Sequence, residues 1–488
     1  MRARHCVRLV LVATGLLAVA GCGAADEPSR GGTSSKTFVY AVPDVPDSLD
    51  AFPFSGDATR WQLVARKSTL IDYDVAKLPD RGCKQVPTNA DVTGQLAESW
   101  TVSDDGLTIT LKLRDTGSQY GHRLSAEDVK WSVERSLALA PFMPPTLSEI
   151  GRFDVKHMVT VVDPRTVAFH LTEPFAFAVP LLGNNTMPIF DSTEARKHAT
   201  GDDPWASKWL STHIADFGAW KLESFTPGSE IVLTPNPNST LPHGNVGRLV
   251  LRAVPDAAVR MQLLQSGDAQ YAARLSYDQY QQLGDSPNAQ VTSCVSTNRD
   301  FLVLNLADKR LKDLRVRQAI SLAIDRDALI EPVYRGFAEP ARFGFTQFLQ
   351  VPQPPADQAI AYDPAKARTL LAQAGYPHGF DLEILYSAVR PGPAVDQLAP
   401  VLQAMLGQVG IKVKLRNIAG SADFFAAYNE GNYDAVIYSE GNILSDPTWI
   451  GTYFVASYGT NNTFGFKSRE WDSTLEQARR AKTQQERD

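Results

Sequence analysis

Apolar residues recur at helical spacing through the stretch Asp313 to Ala341, DLRVRQAISLAIDRDALIEPVYRGFAEPA. Val316, Ala319, Ile320, Ala323 and Ile324 fall on one stripe, which predicts a helix with a single buried face. Asp313 is placed to cap it, because its carboxylate can accept the free N–H groups of the first turn. Asp325 can do the same for a second short helix, ALIEPVY, which Pro332 should kink or shorten.

The pattern on either side predicts an α/β fold. In the first half, Thr37 to Val42 reads as a strand and Asp57 to Leu70 as a helix. LAESWTVSDDGLTITLKLR predicts a hairpin about Asp104-Asp105-Gly106. Ser125-Ala126-Glu127-Asp128 reads as a helix start, and its acids suit the first turn. Val155 to Leu171 predicts a hairpin around Asp163-Pro164-Arg165, and AWKLESF with EIVLT predicts another around Pro227-Gly228. RLVLRAV then leads as a strand into the helical PDAAVRMQLLQSGDAQYA.

In the second half, Cys294 to Leu306 alternates as a strand. Asp363-Pro364 opens a helix that Gly375 stops. Leu382 to Tyr386 is a strand, Ala394 to Val409 an amphipathic helix, and Ile411 to Arg416 alternates strictly. Ser421 is expected to cap SADFFAAYNE, and Asp434 to Tyr438 is the last strand. Strands alternating with helices predict βαβ units and a parallel sheet.

The chain of 488 residues is long enough for two full cores. Its apolar share of 43% and charged share of 21% are those of an ordinary globular protein. Net charge is −6, and the leader arginines Arg2, Arg4 and Arg8 leave the chain from Cys22 onward at −9. That balance argues against nucleic acid as a partner. Residues 1–21 read as a signal peptide: the three arginines, an apolar run from Leu9 to Ala20, then Val19-Ala20-Gly21-Cys22. The last four residues resemble a bacterial lipobox, which makes Cys22 the lipidation candidate. Residues 22–36, rich in Gly, Ser and charge, read as a flexible tether. Cys83 and Cys294 remain, either as a disulfide or as two free thiols.

No GxSxG, HExxH or P-loop is present, and the eight His residues have no ligand spacing. The acid pairs Asp104-Asp105 and Asp202-Asp203 read as solvated turns. No catalytic, metal or cofactor site is predicted. The informative stretch is YDAVIYSEGNILSDPTWIGTYF, Tyr433 to Phe454. Ligands of open α/β domains bind beyond the carboxyl ends of parallel strands. Tyr438, Trp449 and Tyr453 offer stacking faces with polar tips there.

Several of these stretches together resemble the solute-binding proteins of peptide-type ABC importers, the oligopeptide, dipeptide and nickel class. The resemblance rests on RVRQAISLAIDRDALIEPVYRGFAEPA, on LAESWTVSDDGLTITLKLR with LSAEDVKWSVERSL, on YDPAKARTLLAQAGYPHGFDLEILY and on LQAMLGQVGIKVKL. Gly218-Ala219-Trp220 stands where the family has Gly-Pro-Tyr, and RDTGSQYGHRL departs mildly.

The resemblance implies a two-lobed fold of the type II periplasmic-binding kind. Residues 37–289 would form a larger first lobe with an extra subdomain. Residues 290–488 would form the second, and the chain would cross near Gln290 to Asn298. It also implies a lipid-anchored, extracytoplasmic monomer that holds a small solute, foremost a short peptide, in the cleft and presents it to membrane permease subunits. In peptide-binding relatives an Asp just ahead of an Asp-Pro pair receives the peptide amino group. Asp446-Pro447 matches the pair, but no Asp lies in Gly441 to Ser445, which leaves Glu440 or Asn442 for that role. Family members also return a last segment to the first lobe after the helix TLEQARRAK, and that segment is expected to be missing. A metal chelate, a glycan or an opine as ligand, a ligand-sensing lipoprotein, and a secreted hydrolase are the competing readings.

Overall fold

The computed structural model describes residues 36–50, 68–140, 143–184, 187–343, 355–441 and 446–481. The leader, Cys22, the tether, most of the helix expected over Asp57 to Leu70, and Asn442 lie outside them.

Fifteen strands are described, eleven of them ahead of residue 290. They are β1 (Lys36–Val42), β2 (Ile71–Tyr73), β3 (Val92–Gly94), β4 (Ala97–Val102), β5 (Thr108–Leu113), β6 (Val159–Asp163), β7 (Thr166–His170), β8 (Trp220–Thr226), β9 (Glu230–Pro235), β10 (Val246–Ala253) and β11 (Tyr271–Ala272). One sheet runs β11-β1-β10-β9-β8 and a second runs β4-β5-β7-β6. The second sheet is antiparallel throughout, as its two hairpins dictate. Its first turn closes through Gly106 at φ 72°, a conformation that suits a residue without Cβ.

Helix α1 (Ala126–Leu139) begins in a full capping box: Ser125 accepts from the Asp128 amide, and Asp128 accepts from the Ser125 amide. One face packs on the four-stranded sheet, and the other carries Arg135 into a buried ion pair with Asp50. Asp202 is exposed in a turn, as expected, whereas Asp203 corrects the reading of a solvated turn. Asp203 is buried and accepts from the amides of Ser207 and Lys208, both at 2.8 Å, so it caps the short helix Ser207–Leu210.

Asp216 lies close by, on an isolated bridge to Phe190. Burial pushes its pKa up from 3.8 to about 7; the Gly218 amide opposes the rise and Asp191 adds to it. The folded state therefore binds this proton more tightly than the unfolded chain does. The stability it confers is complete below pH 3.8 and is lost as pH rises through 7. Asp216→Asn is expected to change little at pH 4 and to stabilise by about 2–4 kcal/mol at pH 8. Urea unfolding at the two pH values checks this.

Before residue 290 the chain also forms α2 (Ala257–Ser266) and α3 (Tyr277–Gly284). Residues 286–298 then carry neither helix nor strand. The strand expected from Cys294 begins only at β12 (Arg299–Leu304). Cys83 and Cys294 are joined as a disulfide with their Cα atoms 4.0 Å apart.

Helices α4 (Leu314–Leu322) and α5 (Asp327–Tyr334) follow. Val316, Ala319, Ile320, Ala323 and Ile324 are all buried, Asp313 accepts from the Arg315 amide, and Asp325 from that of Ala328. The rest of this half is α6 (Pro364–Gln373), β13 (Asp381–Tyr386), α7 (Val395–Gly407), β14 (Lys412–Asn417), α8 (Ser421–Asn429) and β15 (Ala435–Glu440). Ser421 is the first helical residue of α8 rather than its cap, which is Gly420.

The sheet order is β12-β15-β13-β14. β13 is parallel to both its neighbours, as the alternation with helices predicts. β12 is antiparallel to β15, so the sheet is mixed. No βαβ crossover links those two strands as sequence neighbours, so nothing fixes them parallel.

Helices α4 to α7 bury their apolar faces with Leu382, Ile384, Ala435 and Ile437 in one core. The opposite face of this sheet joins a core shared with the first half. Val436, Tyr438, Trp449 and Phe454 lie in one cluster with Ile109, Phe169 and Leu181. The last described helix, α9 (Arg469–Arg480), also reaches the first half. Arg479 donates to the carbonyls of Glu149 at 2.5 Å and Ile150 at 2.8 Å, and Glu476 pairs with Arg152. No described helix is long and apolar enough to cross a membrane.

Candidate functional site

β13 and β15 run parallel side by side, so their carboxyl ends and the turns beyond them lie together. Tyr438 sits near the end of β15. Its ring stacks on Tyr428 at 4.3 Å with an interplanar angle of 8°, and Phe454 lies 6.0 Å away. The ring is buried, and its hydroxyl accepts from Arg390 Nη1 at 3.1 Å.

Arg390 comes from the turn after β13. The same Nη1 donates to the Ser439 carbonyl at 3.1 Å and to Glu440 Oε2 at 3.0 Å. Glu440 Oε1 accepts from the Gly441 amide at 3.1 Å. Burial works against the charge on Arg390, but Glu440 and then Tyr438 outweigh it and hold its pKa above the ordinary value. The Arg390 side chain is 39% exposed, and its Nε and Nη2 make no hydrogen bond to the described residues. One edge of a pre-oriented guanidinium is thus open to solvent, in the fork geometry that suits a carboxylate.

A second guanidinium stands beside it. Arg299 faces Glu440 in the β12–β15 register, so their side chains leave the same face of the sheet. Arg299 donates to the Phe343 carbonyl at 3.2 Å and lies 5.9 Å from the Phe301 ring centre. Burial lowers its pKa to about 10, which leaves it charged at neutral pH. Arg390 and Glu440 are thus paired at the strand end, and Arg299 leaves the sheet on the same face as Glu440. Half-buried Tyr453 borders it: burial first, then Glu440 and Tyr438, push its hydroxyl pKa up.

Of the residues expected at the site, Tyr438, Glu440 and Tyr453 come together. Glu440 is already ion-paired, so it is no vacant carboxylate. Asp446 lies inside the protein, where Oδ1 accepts from the Thr448 amide at 2.6 Å and starts the turn Pro447–Ile450. Trp449 is 1% exposed and stacks on Tyr453 at 5.5 Å, so both its faces are enclosed. Sequence reasoning missed Arg390 and Arg299. The turn after β13, SAVRPGP, holds one charged residue among Gly and Pro, and the strand-end rule applied to β15 applies equally there.

A shallow cavity of about 510 Å³ opens elsewhere, between Gln119-Tyr120, His213 and β8. Gln119 has both ends of its amide engaged there, with the Ile214 carbonyl and the Leu222 amide. Among the described residues no group of three His, Cys, Asp or Glu side chains could hold a metal ion.

A mixed α/β scaffold with charged and aromatic groups at parallel strand ends defines a binding protein of the type II periplasmic class. More particularly, the chain belongs to the bacterial extracellular solute-binding proteins, family 5, whose middle region matches residues 91–462. This is the peptide/nickel class that serves ABC importers. The chain is 27% identical over 424 residues to the glutathione-binding protein GsiB of Shigella flexneri, covering 84% of this chain and 77% of that one. Its fold is similar to that of the periplasmic binding protein DppA of Helicobacter pylori in complex with the peptide STSA (TM-score 0.78, 23% identity, 92% and 88% of the two chains). It is also similar to AgaA from A. tumefaciens R10 in complex with agropinic acid (TM-score 0.75, 23% identity, 92% and 87%).

Proposed function

We propose that this protein captures a small solute bearing a carboxylate, foremost a short peptide, between its two halves and presents it to the permease of an ABC importer. The observation that carries the reading is the open edge of Arg390, held in place by Tyr438, Ser439 and Glu440 at the strand ends. A buried carboxylate needs a charged partner once water is excluded, and a fixed guanidinium supplies one without reorganising. Tyr453 offers a flank for apolar side chains.

A peptide ammonium would share Glu440 with Arg390 rather than find it free. Recognition through the carboxylate therefore outweighs recognition through the amine, which accommodates glutathione, peptides and acidic opines alike. Closure of the halves would be a hinge motion about residues 290–298, and the closed form is what a permease would recognise. Lipid attachment at Cys22 and the tether over residues 22–36 would keep the protein at the outer face of the membrane as a monomer. No chemistry on the ligand and no cofactor is required.

The test is a thermal-shift and calorimetric screen with tripeptides, their C-terminal amides, their N-acetyl forms and S-methylglutathione. Binding raises the melting temperature with occupancy of the folded state. Amidation is expected to abolish the shift, and acetylation to reduce it less. Arg390→Gln is expected to weaken binding tenfold to a hundredfold, since a charge-assisted bond contributes roughly 1.5–3 kcal/mol. Binding that survives both amidation and Arg390→Gln would sink the carboxylate reading.

A further inference from the structure

Residues 286–298 join the halves with no helix or strand of their own. Their upstream end is fixed by α3, where Asp278 pairs with Arg335 at 2.5 Å and Tyr277 stacks on Phe337 at 5.8 Å. Their downstream end is β12, whose first residue faces Glu440. Between those ends the Cys83–Cys294 disulfide ties the segment to the first half, and the Val295 amide donates to the Cys83 carbonyl at 3.0 Å.

Only three residues separate Cys294 from Asn298, four steps of chain with a reach of at most about 14 Å. Asn298 in turn presses on the backbone just past Glu440. A Cβ at Gly441 would stand 2.1 Å from Asn298 Oδ1, so a larger residue there would push the Asn298 side chain aside. The disulfide is thus coupled to the Arg299–Glu440 corner through a short piece of chain with neither helix nor strand. Cys294 is exposed and Cys83 half-buried, which leaves the bond open to a soluble thiol.

We propose that the Cys83–Cys294 disulfide is a redox-sensitive strap that holds the crossover against Gly441 and so keeps the Arg299–Glu440 corner in register. An external dithiol undoes it by exchange. A thiolate of the reagent attacks one cysteine sulfur, the S–S bond breaks and the other cysteine leaves as thiolate. The reagent's second thiolate then attacks the reagent sulfur of the mixed disulfide and expels the remaining cysteine thiolate. Cys83 and Cys294 each end as S–H, and the reagent ends as its own disulfide. With the strap open, residues 286–298 gain freedom and the first pairs of the β12–β15 ladder, Arg299↔Glu440 and Asp300↔Ser439, fray first. Looser register there shifts Glu440, and with it the Arg390 that Glu440 holds, and weakens anion capture. That consequence rests on the function proposed above, whereas the structural effect does not.

Amide hydrogen exchange of the protein, oxidised and after reduction with dithiothreitol, tests the strap without any ligand. The reduced protein, shown by thiol titration to carry two new thiols, is expected to exchange at least tenfold faster in peptides spanning 295–301 and 438–441. β13 and β14 should keep their protection, which also shows that the fold survives. A variant with two glycines inserted after Val295 keeps the disulfide but slackens the link, and it is expected to give the same local acceleration. Unchanged exchange at 295–301 in the reduced protein or in the insertion variant would overturn the strap. Uniform acceleration through β13 and β14 on reduction would overturn it too, because the bond would then be a general staple. If Arg390→Gln leaves peptide binding intact while the local acceleration is seen, the strap stands and the proposed ligand chemistry falls.

Discussion

Replacing Asp50 with alanine is expected to destabilise the protein by about 3–5 kcal/mol, the range for removing one partner of a buried ion pair. Asp50 Oδ2 lies 2.6 Å from Arg135 Nη2, and both side chains are essentially inaccessible. Arg135 also donates to the Trp205 carbonyl at 3.0 Å and to Ser207 Oγ at 3.1 Å, and its guanidinium lies 4.9 Å from the Phe190 ring centre. These contacts hold the cation in place but do not neutralise it. Removing Asp50 takes away the carboxylate that faces this buried cation, whereas the intact pair itself adds little net stability. Asp50→Leu combined with Arg135→Met should therefore cost less than Asp50→Ala alone, a reversal that only a buried pair produces. Urea unfolding of the three variants measures it. Additive losses would mean that the two residues act independently.

Trp449→Ala should also cost about 3–5 kcal/mol, the range for a large aromatic removed from a packed core. Trp449 is among the largest fully buried side chains, and it lies in the cluster where β15 and the first half meet. Its Nε1 is buried and has no hydrogen-bond partner among the described residues. Trp449→Phe therefore forfeits volume but no hydrogen bond, and it should cost less than half as much while leaving tripeptide binding unchanged. The two variants separate packing from recognition. A Trp449→Phe protein that melts normally but no longer binds peptide would show that the indole N–H reaches the ligand.

These two cases differ in how visible they are along the chain. Arg135 sits in a stretch whose helix and cap were readable from Ser125 and Asp128, yet its partner lies 85 positions away. Trp449 was readable as an aromatic beyond a strand end, but whether it faces the ligand or the core depends on what packs over it. Asp446 is similar: its match to the family's Asp-Pro pair suggested the site, and its carboxylate starts a turn instead. Glu440 was placed correctly at the strand end. Its pairing with Arg390, fifty positions away in a turn of ordinary composition, left no mark on its own neighbourhood.

By itself the sequence determined the α/β alternation, the hairpins, the caps at Asp313 and Ser125, the buried stripe of α4 and membership of the family. Each of these depends on residues within a turn or two of one another, or on several such stretches in a fixed order, so local spacing carries the information. Only the tertiary structure decided that β12 runs against β15, that Cys83 meets Cys294 across 211 positions, and that Arg390 pairs with Glu440 opposite Arg299. Those outcomes depend on which distant segments pack together once the cores form. Side-chain charge and spacing along the chain are the same whichever segments meet.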